Sequence, residues 1–135
     1  MWTYHIWYVT LGLGMRVSRM PWGEVELEPE VAEWIEGLAP ADFGRAETYI
    51  DLLAERGPFL DQPYTRQLRG KLRELRFRLG VTGAQVRITY FIASRRKIVL
   101  LTIFTKRRRR ERSEIDRARR AMERCIAEGH SLKDG

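Results

Sequence analysis

The chain has one cysteine, Cys125, in 135 residues. A single thiol excludes an internal disulfide and a cysteine-based metal cluster, and it suits a reducing cytoplasm. Only two histidines occur, His5 and His130, near opposite ends. A ribonuclease built on a histidine pair is therefore not expected, nor is a histidine-rich metal site; no metal or cofactor is expected at all. No apolar run approaches the ~20 residues that span a bilayer, so no membrane partner is expected. Ile6–Leu13 is apolar, but no basic stretch precedes it and no small-residue cleavage site follows it. It does not read as a signal peptide.

Acid is scarce in one place above all. From Arg66 to Arg110 there are fifteen Lys or Arg residues and one acid, Glu74. The overall charge of +7 hides this concentration, because residues 22–62 hold eleven acids against Arg45 and Arg56. The basic stretch is also where strand patterning is sustained. A sheet this cationic on its exposed positions is most simply a surface for phosphates, and nucleic acid is the commonest polyphosphate.

The pattern predicts an α+β fold: a short edge strand, a helical hairpin, a three-stranded antiparallel meander and a C-terminal helix. Residues 1–19 match no clear period and read as an N-terminal extension, with an added strand over Ile6–Leu11 as the alternative. Residues 20–135 read as one domain. Trp22–Leu27 alternates as an edge strand. Val31, Trp34, Ile35 and Leu38 lie on one helical stripe, and Phe43, Ala46, Ile50 and Leu53 on a second. Phe59–Arg69 reads as a loop. In Lys71–Leu79, Leu75, Phe77 and Leu79 point one way and Glu74, Arg76 and Arg78 the other. In Val86–Ile92, Arg87, Thr89 and Phe91 share a face. Ile98–Phe104 is apolar almost throughout and reads as a central strand buried on both sides. Ile115, Ala118, Met122 and Ile126 form the stripe of the last helix, and the tail to Gly135 reads as frayed.

Arg76 and Arg87 face one side if their strands form a hairpin through Gly80–Gly83. Two guanidiniums so placed bind a phosphate by paired parallel hydrogen bonds, which lysine cannot make. The run from Lys106 to Arg110 repels itself unless an anion is bound. Glu74, flanked by Arg73 and facing Arg76, is expected to be held ionised by those cations. It would act as a general base toward a ribose 2′-hydroxyl or as a brace for Arg76.

Four motifs in order carry a family resemblance: Glu74-Leu75-Arg76, Val86-Arg87-Ile88-Thr89-Tyr90, the leucine-rich strand through Phe104-Thr105-Lys106-Arg107, and Glu114-Ile115-Asp116-Arg117-Ala118. Together they resemble the HigB-like branch of the RelE toxin superfamily, over about residues 22–126. The resemblance implies a RelE-like fold and a toxin of a type II toxin–antitoxin pair. It implies ribosome-dependent mRNA cleavage in the A site, without metal, by 2′-hydroxyl attack on the adjacent phosphate. The implied partners are mRNA and rRNA on the ribosome and a helix-turn-helix antitoxin. Arg76, Arg87, Lys106, Arg107 and Arg110 fall on the catalytic surface, with Glu74 beside them. Arg69, Lys71, Arg73, Arg78, Arg108, Arg109 and Arg112 are the surrounding cations expected to hold RNA phosphates. Asp116 stands where RelE has a tyrosine. Two alternatives remain: a ParE-type inhibitor of gyrase, and a non-catalytic nucleic-acid-binding accessory protein of a phage.

Overall fold

A computed structural model describes residues 2–3 (backbone only), 21–106 and 111–129. The alternative strand over Ile6–Leu11, the cations Arg107 to Arg110 and the tail beyond 129 lie outside the described residues. In chain order the elements are β1 (Trp2–Thr3), β2 (Glu24–Leu27), α1 (Pro29–Glu36), α2 (Pro40–Arg56), a single 3-10 turn (Gly57–Phe59), β3 (Thr65–Arg69), β4 (Leu72–Leu79), β5 (Ala84–Ala93), β6 (Lys97–Thr105) and α3 (Glu111–Ala127). The strands form one mixed sheet in the order β1-β2-β6-β5-β4-β3.

The α+β class, the helical pair, the β4–β5–β6 meander and the last helix agree with the sequence pattern. Two elements differ from it. Thr65–Arg69, expected to be loop, is the outer strand β3, antiparallel to β4. It buries the polar Thr65, whose hydroxyl donates to the Leu60 carbonyl at 2.8 Å, and its one apolar residue, Leu68, packs on the α3 side at a register shift, so no apolar alternation marks the strand. Glu24–Leu27 is not an edge within this sheet. It pairs parallel with β6, Val25 opposite Ile98, and β1 lies outside it.

Each face of the sheet has its own core. Leu75, Phe77, Leu79, Val86, Ile88, Tyr90, Ile98 and Leu100 pack under α1 and α2. Leu72, Phe91, Ala93, Val99 and Leu101 pack under Ala118, Ala121 and Cys125 of α3. Burial raises the Cys125 thiol to about 11, so it is a small apolar packing group at neutral pH. A bulge shifts the β5–β6 register between Thr89 and Tyr90. The extra residue on β6 is Leu101, which lets Leu101 feed the α3 core while Thr102 still meets Thr89.

β2 stops opposite Leu100, and side chains continue its role along β6. Ile103 N–H donates to Glu30 Oε2 at 2.9 Å, and Ile103 C=O accepts from Arg117 Nη2 at 3.2 Å. Glu30 and Arg117 also pair with each other at 2.6 Å. One carboxylate and one guanidinium thus join α1, β6 and α3 where the neighbouring strand has ended.

Gly57 ends α2 at φ +52, and a Cβ there would lie 2.3 Å from the Trp22 ring. Gly57→Ala combines left-handed strain with a clash against a large ring. It is expected to lower stability by about 1–3 kcal/mol in urea unfolding. An unchanged midpoint would show that Trp22 moves aside without cost.

Candidate nucleic-acid interface

The turn at Gly80–Gly83 sets the hairpin register, and that register places Arg76 directly opposite Arg87. Glu74 pairs with Arg66 on β3 and with Thr89 on β5, and Thr89 pairs with Thr102 on β6. Two cross-strand rows result on the face that carries α3. One is Arg66, Glu74, Thr89, Thr102; the next, two residues along the strands, is Arg76, Arg87, Phe104. The buried apolar residues beneath α3 lie on the other side of the first row.

Glu74 is the hub. Its side chain is only 1% exposed, and its Oε2 lies 3.2 Å from Arg66 Nε, 3.7 Å from Arg76 Nε and 3.8 Å from Arg87 Nε. One carboxylate among three guanidiniums leaves an excess of positive charge. Arg66 also holds Glu111, the first residue of α3, with Nη2 to Oε1 at 3.0 Å. Among the described residues, neither Glu74 oxygen nor Arg87 Nε has a hydrogen-bond partner. Arg87 is itself buried; it spends Nη1 on the Val86 carbonyl and Nη2 on Gln85 Oε1. Arg76 is 29% exposed and Arg66 38%, so these two guanidiniums reach the surface.

The expected pull of the neighbouring cations on Glu74 is present, but a larger opposing effect exceeds it. Burial raises its pKa above the ordinary 4.5, and outweighs the opposing pull of Arg66, Arg87 and Arg76. Burial, and then Arg76, lowers that of Arg87. The linkage follows from the sign. A raised carboxyl contributes stability that is fully present below 4.5 and is lost as pH rises through the folded value. Glu74→Gln keeps the shape of the protonated form. At neutral pH the variant is therefore expected to be at least as stable as the wild type, with the gap opening above pH 4.5. Urea midpoints over a pH series check this; parallel profiles would contradict it.

The other expected cations divide. Arg73 does not join the row. It lies on the helical face, donating to the Tyr90 hydroxyl at 3.3 Å and to Thr65 Oγ1 at 3.2 Å. Arg78 shares the face of Arg76 but sits at the hairpin tip, 3.5 Å from the Gly83 carbonyl. Arg69 is half-turned to Asp116 at 3.6 Å, Lys71 is exposed in the β3–β4 turn, and Arg112 is exposed in the first turn of α3. Lys106 leaves β6 half-buried, its N–H donating to the Gln85 carbonyl at 2.8 Å, next to the start of the Arg87 strand. Arg107, Arg108, Arg109 and Arg110 are outside the described residues. Sequence reasoning missed Arg66 as a member of the cluster. Its signal is the β3–β4 register, which becomes readable only once Thr65–Arg69 is taken as a strand.

Among the described residues no group of three or more His, Cys, Asp or Glu is placed to hold a metal, and no helix is long and apolar enough to cross a membrane.

Residues 33–123 match the family described as "Phage derived protein Gp49-like (DUF891)". Among solved structures, the chain is similar to the free state of an E. coli toxin RelE mutant with two arginines changed to alanine. The likeness has a TM-score of 0.50 at 15% identity, over 78% of this chain and 98% of that one. It establishes a RelE-like fold. No curated protein matches the sequence.

Proposed function

Because the chain belongs to the Gp49-like family of phage-derived proteins, and its fold is that of RelE, we propose that it is the toxin of a toxin–antitoxin pair and an endonuclease of mRNA on the ribosome. The observation that carries this reading is the opposition of the partly exposed Arg76 and the buried Arg87 around one buried carboxylate.

In this reading the RNA supplies its own nucleophile. The ribose 2′-oxygen attacks the adjacent phosphorus, its proton passing to solvent, and forms a new P–O bond. The bond to the 5′-oxygen breaks, leaving a cyclic phosphate and, after proton uptake, a 5′-hydroxyl. Negative charge builds on the two non-bridging oxygens; in this reading Arg76 donates to them from the surface, and the buried Arg87 adds positive charge from beneath. Lys106 adds charge from the end of β6. A general base must come within hydrogen-bond reach of the proton it removes. Glu74 is buried beneath the arginines, so its role is to brace them. An antitoxin would neutralise the face by covering Arg76 and Arg87 with acidic or apolar segments.

The test is a purified translation system with a defined mRNA. Cleavage that requires the ribosome and leaves 5′-hydroxyl ends is the expected result. Intact mRNA together with stabilised gyrase–DNA breaks would overturn the reading in favour of a ParE-type inhibitor. Intact mRNA with salt-sensitive RNA binding and no toxicity would leave only an accessory binding protein.

A further inference from the structure

We infer that the face takes two consecutive phosphates, that Arg66 holds the second, and that the Glu111 carboxylate occupies this second position until a polynucleotide displaces it. The inference rests on the proposed phosphate site at Arg76 and Arg87, and adds to it a length requirement and an internal competitor.

Arg66 and the Arg76–Arg87 pair stand in neighbouring cross-strand rows. Two residues of strand at ~3.4 Å each separate the rows by about 7 Å, a spacing comparable with that of successive phosphates on an extended strand. Glu74 engages only the inner edge of the Arg66 guanidinium, through Nε. The outer edge, Nη2, is turned to Glu111. A carboxylate on the outer edge of an arginine is a close electrostatic likeness of a bound phosphate oxygen. Both partners are about one-third exposed, so water screens the pair and a phosphodiester held alongside its neighbour displaces it at modest cost. Glu111 is also the first residue of α3. Its release would free the helix start from the sheet edge at the moment the second phosphate binds.

The chemistry predicts a preference for an oligonucleotide with two internucleotide phosphates over one with a single phosphate. The test uses the full chain and labelled 2′-O-methyl RNAs, which cannot be cleaved: a dimer with one phosphate and a trimer with two, with unphosphorylated ends. The wild type is expected to bind the trimer about tenfold more tightly at low salt. Its slope of log affinity against log salt should be steeper for the trimer by about 0.7, the increment for one phosphate of a single strand. Arg66→Ala should reduce the trimer-to-dimer ratio to near one and remove the extra slope. Glu111→Gln, a surface change that leaves Arg66 in place, should raise the ratio by about threefold.

A ratio that survives Arg66→Ala, or that Glu111→Gln leaves unchanged, overturns the inference. So does failure of the wild type to bind either RNA. Failure of the underlying site reads differently: dimer affinity would be the same in Arg87→Ala as in the wild type, whatever the Arg66 variant does to the ratio.

Discussion

Arg87→Ala is expected to abolish growth arrest on expression and to lower single-turnover mRNA cleavage by about 100- to 1,000-fold, the usual cost of removing one preorganised group that stabilises a developing oxyanion. The size of the effect comes from position. Arg87 is almost fully buried, so its guanidinium acts in a medium that screens charge poorly. Two of its nitrogens are already fixed by Val86 and Gln85, so the plane is set before substrate arrives. The fold should survive the loss. Glu74 loses one of three partners and keeps Arg66 at 3.2 Å and Arg76 at 3.7 Å. Arg87→Lys keeps the charge but not the planar fork, and an intermediate rate is expected. Growth arrest as strong as that of the wild type from a stably expressed Arg87→Ala protein would end the site assignment.

Phe91→Ala is expected to cost about 3–5 kcal/mol, the largest loss of stability among the changes considered. Phe91 is fully buried where β5 meets α3, with Leu72, Val99 and Leu101 beside it. The fully buried contact residues of the helix are small, Ala118, Ala121 and Cys125, while Ile115, Met122 and Ile126 pack only partly buried at the margin. The small residues have no reach to refill a missing ring, so most of the cavity is expected to persist. Denaturant unfolding measures the total. Hydrogen exchange along 111–127 shows where it falls, and loss of protection there before the sheet opens is the expected pattern. A loss below about 1 kcal/mol would mean that α3 settles onto the sheet without the ring.

Much of this was legible in the chain because strand periodicity is a local property. Leu75, Phe77 and Leu79 face the helical core, Glu74 and Arg76 face the other way, and Ile98–Leu101 is buried from both sides, all as alternation predicts. The parity that places Leu75 on the helical face also places Arg73 there; its charge concealed a buried-face role serving Tyr90. What could not be read locally is pairing. The parallel match of β2 with β6, and of Arg66 with Glu74, joins segments whose proximity depends on the whole sheet. The direction of the Glu74 pKa shift could not be read locally for a related reason. Counting nearby cations gives the sign of one contribution, whereas the depth of burial that opposes it is a property of the assembled layers.

The Glu30–Ile103 clamp bears on the order of assembly. Its partners are 73 positions apart, and Arg117, which completes it, follows later still. A chain emerging from its own ribosome can form the helical hairpin and the β4–β5 hairpin early, since both are local. The open flank of β6 stays unsealed until α3 has been synthesised. During that interval an exposed strand edge is available to any partner with a complementary backbone, which makes the unfinished protein a different target for capture than the finished one.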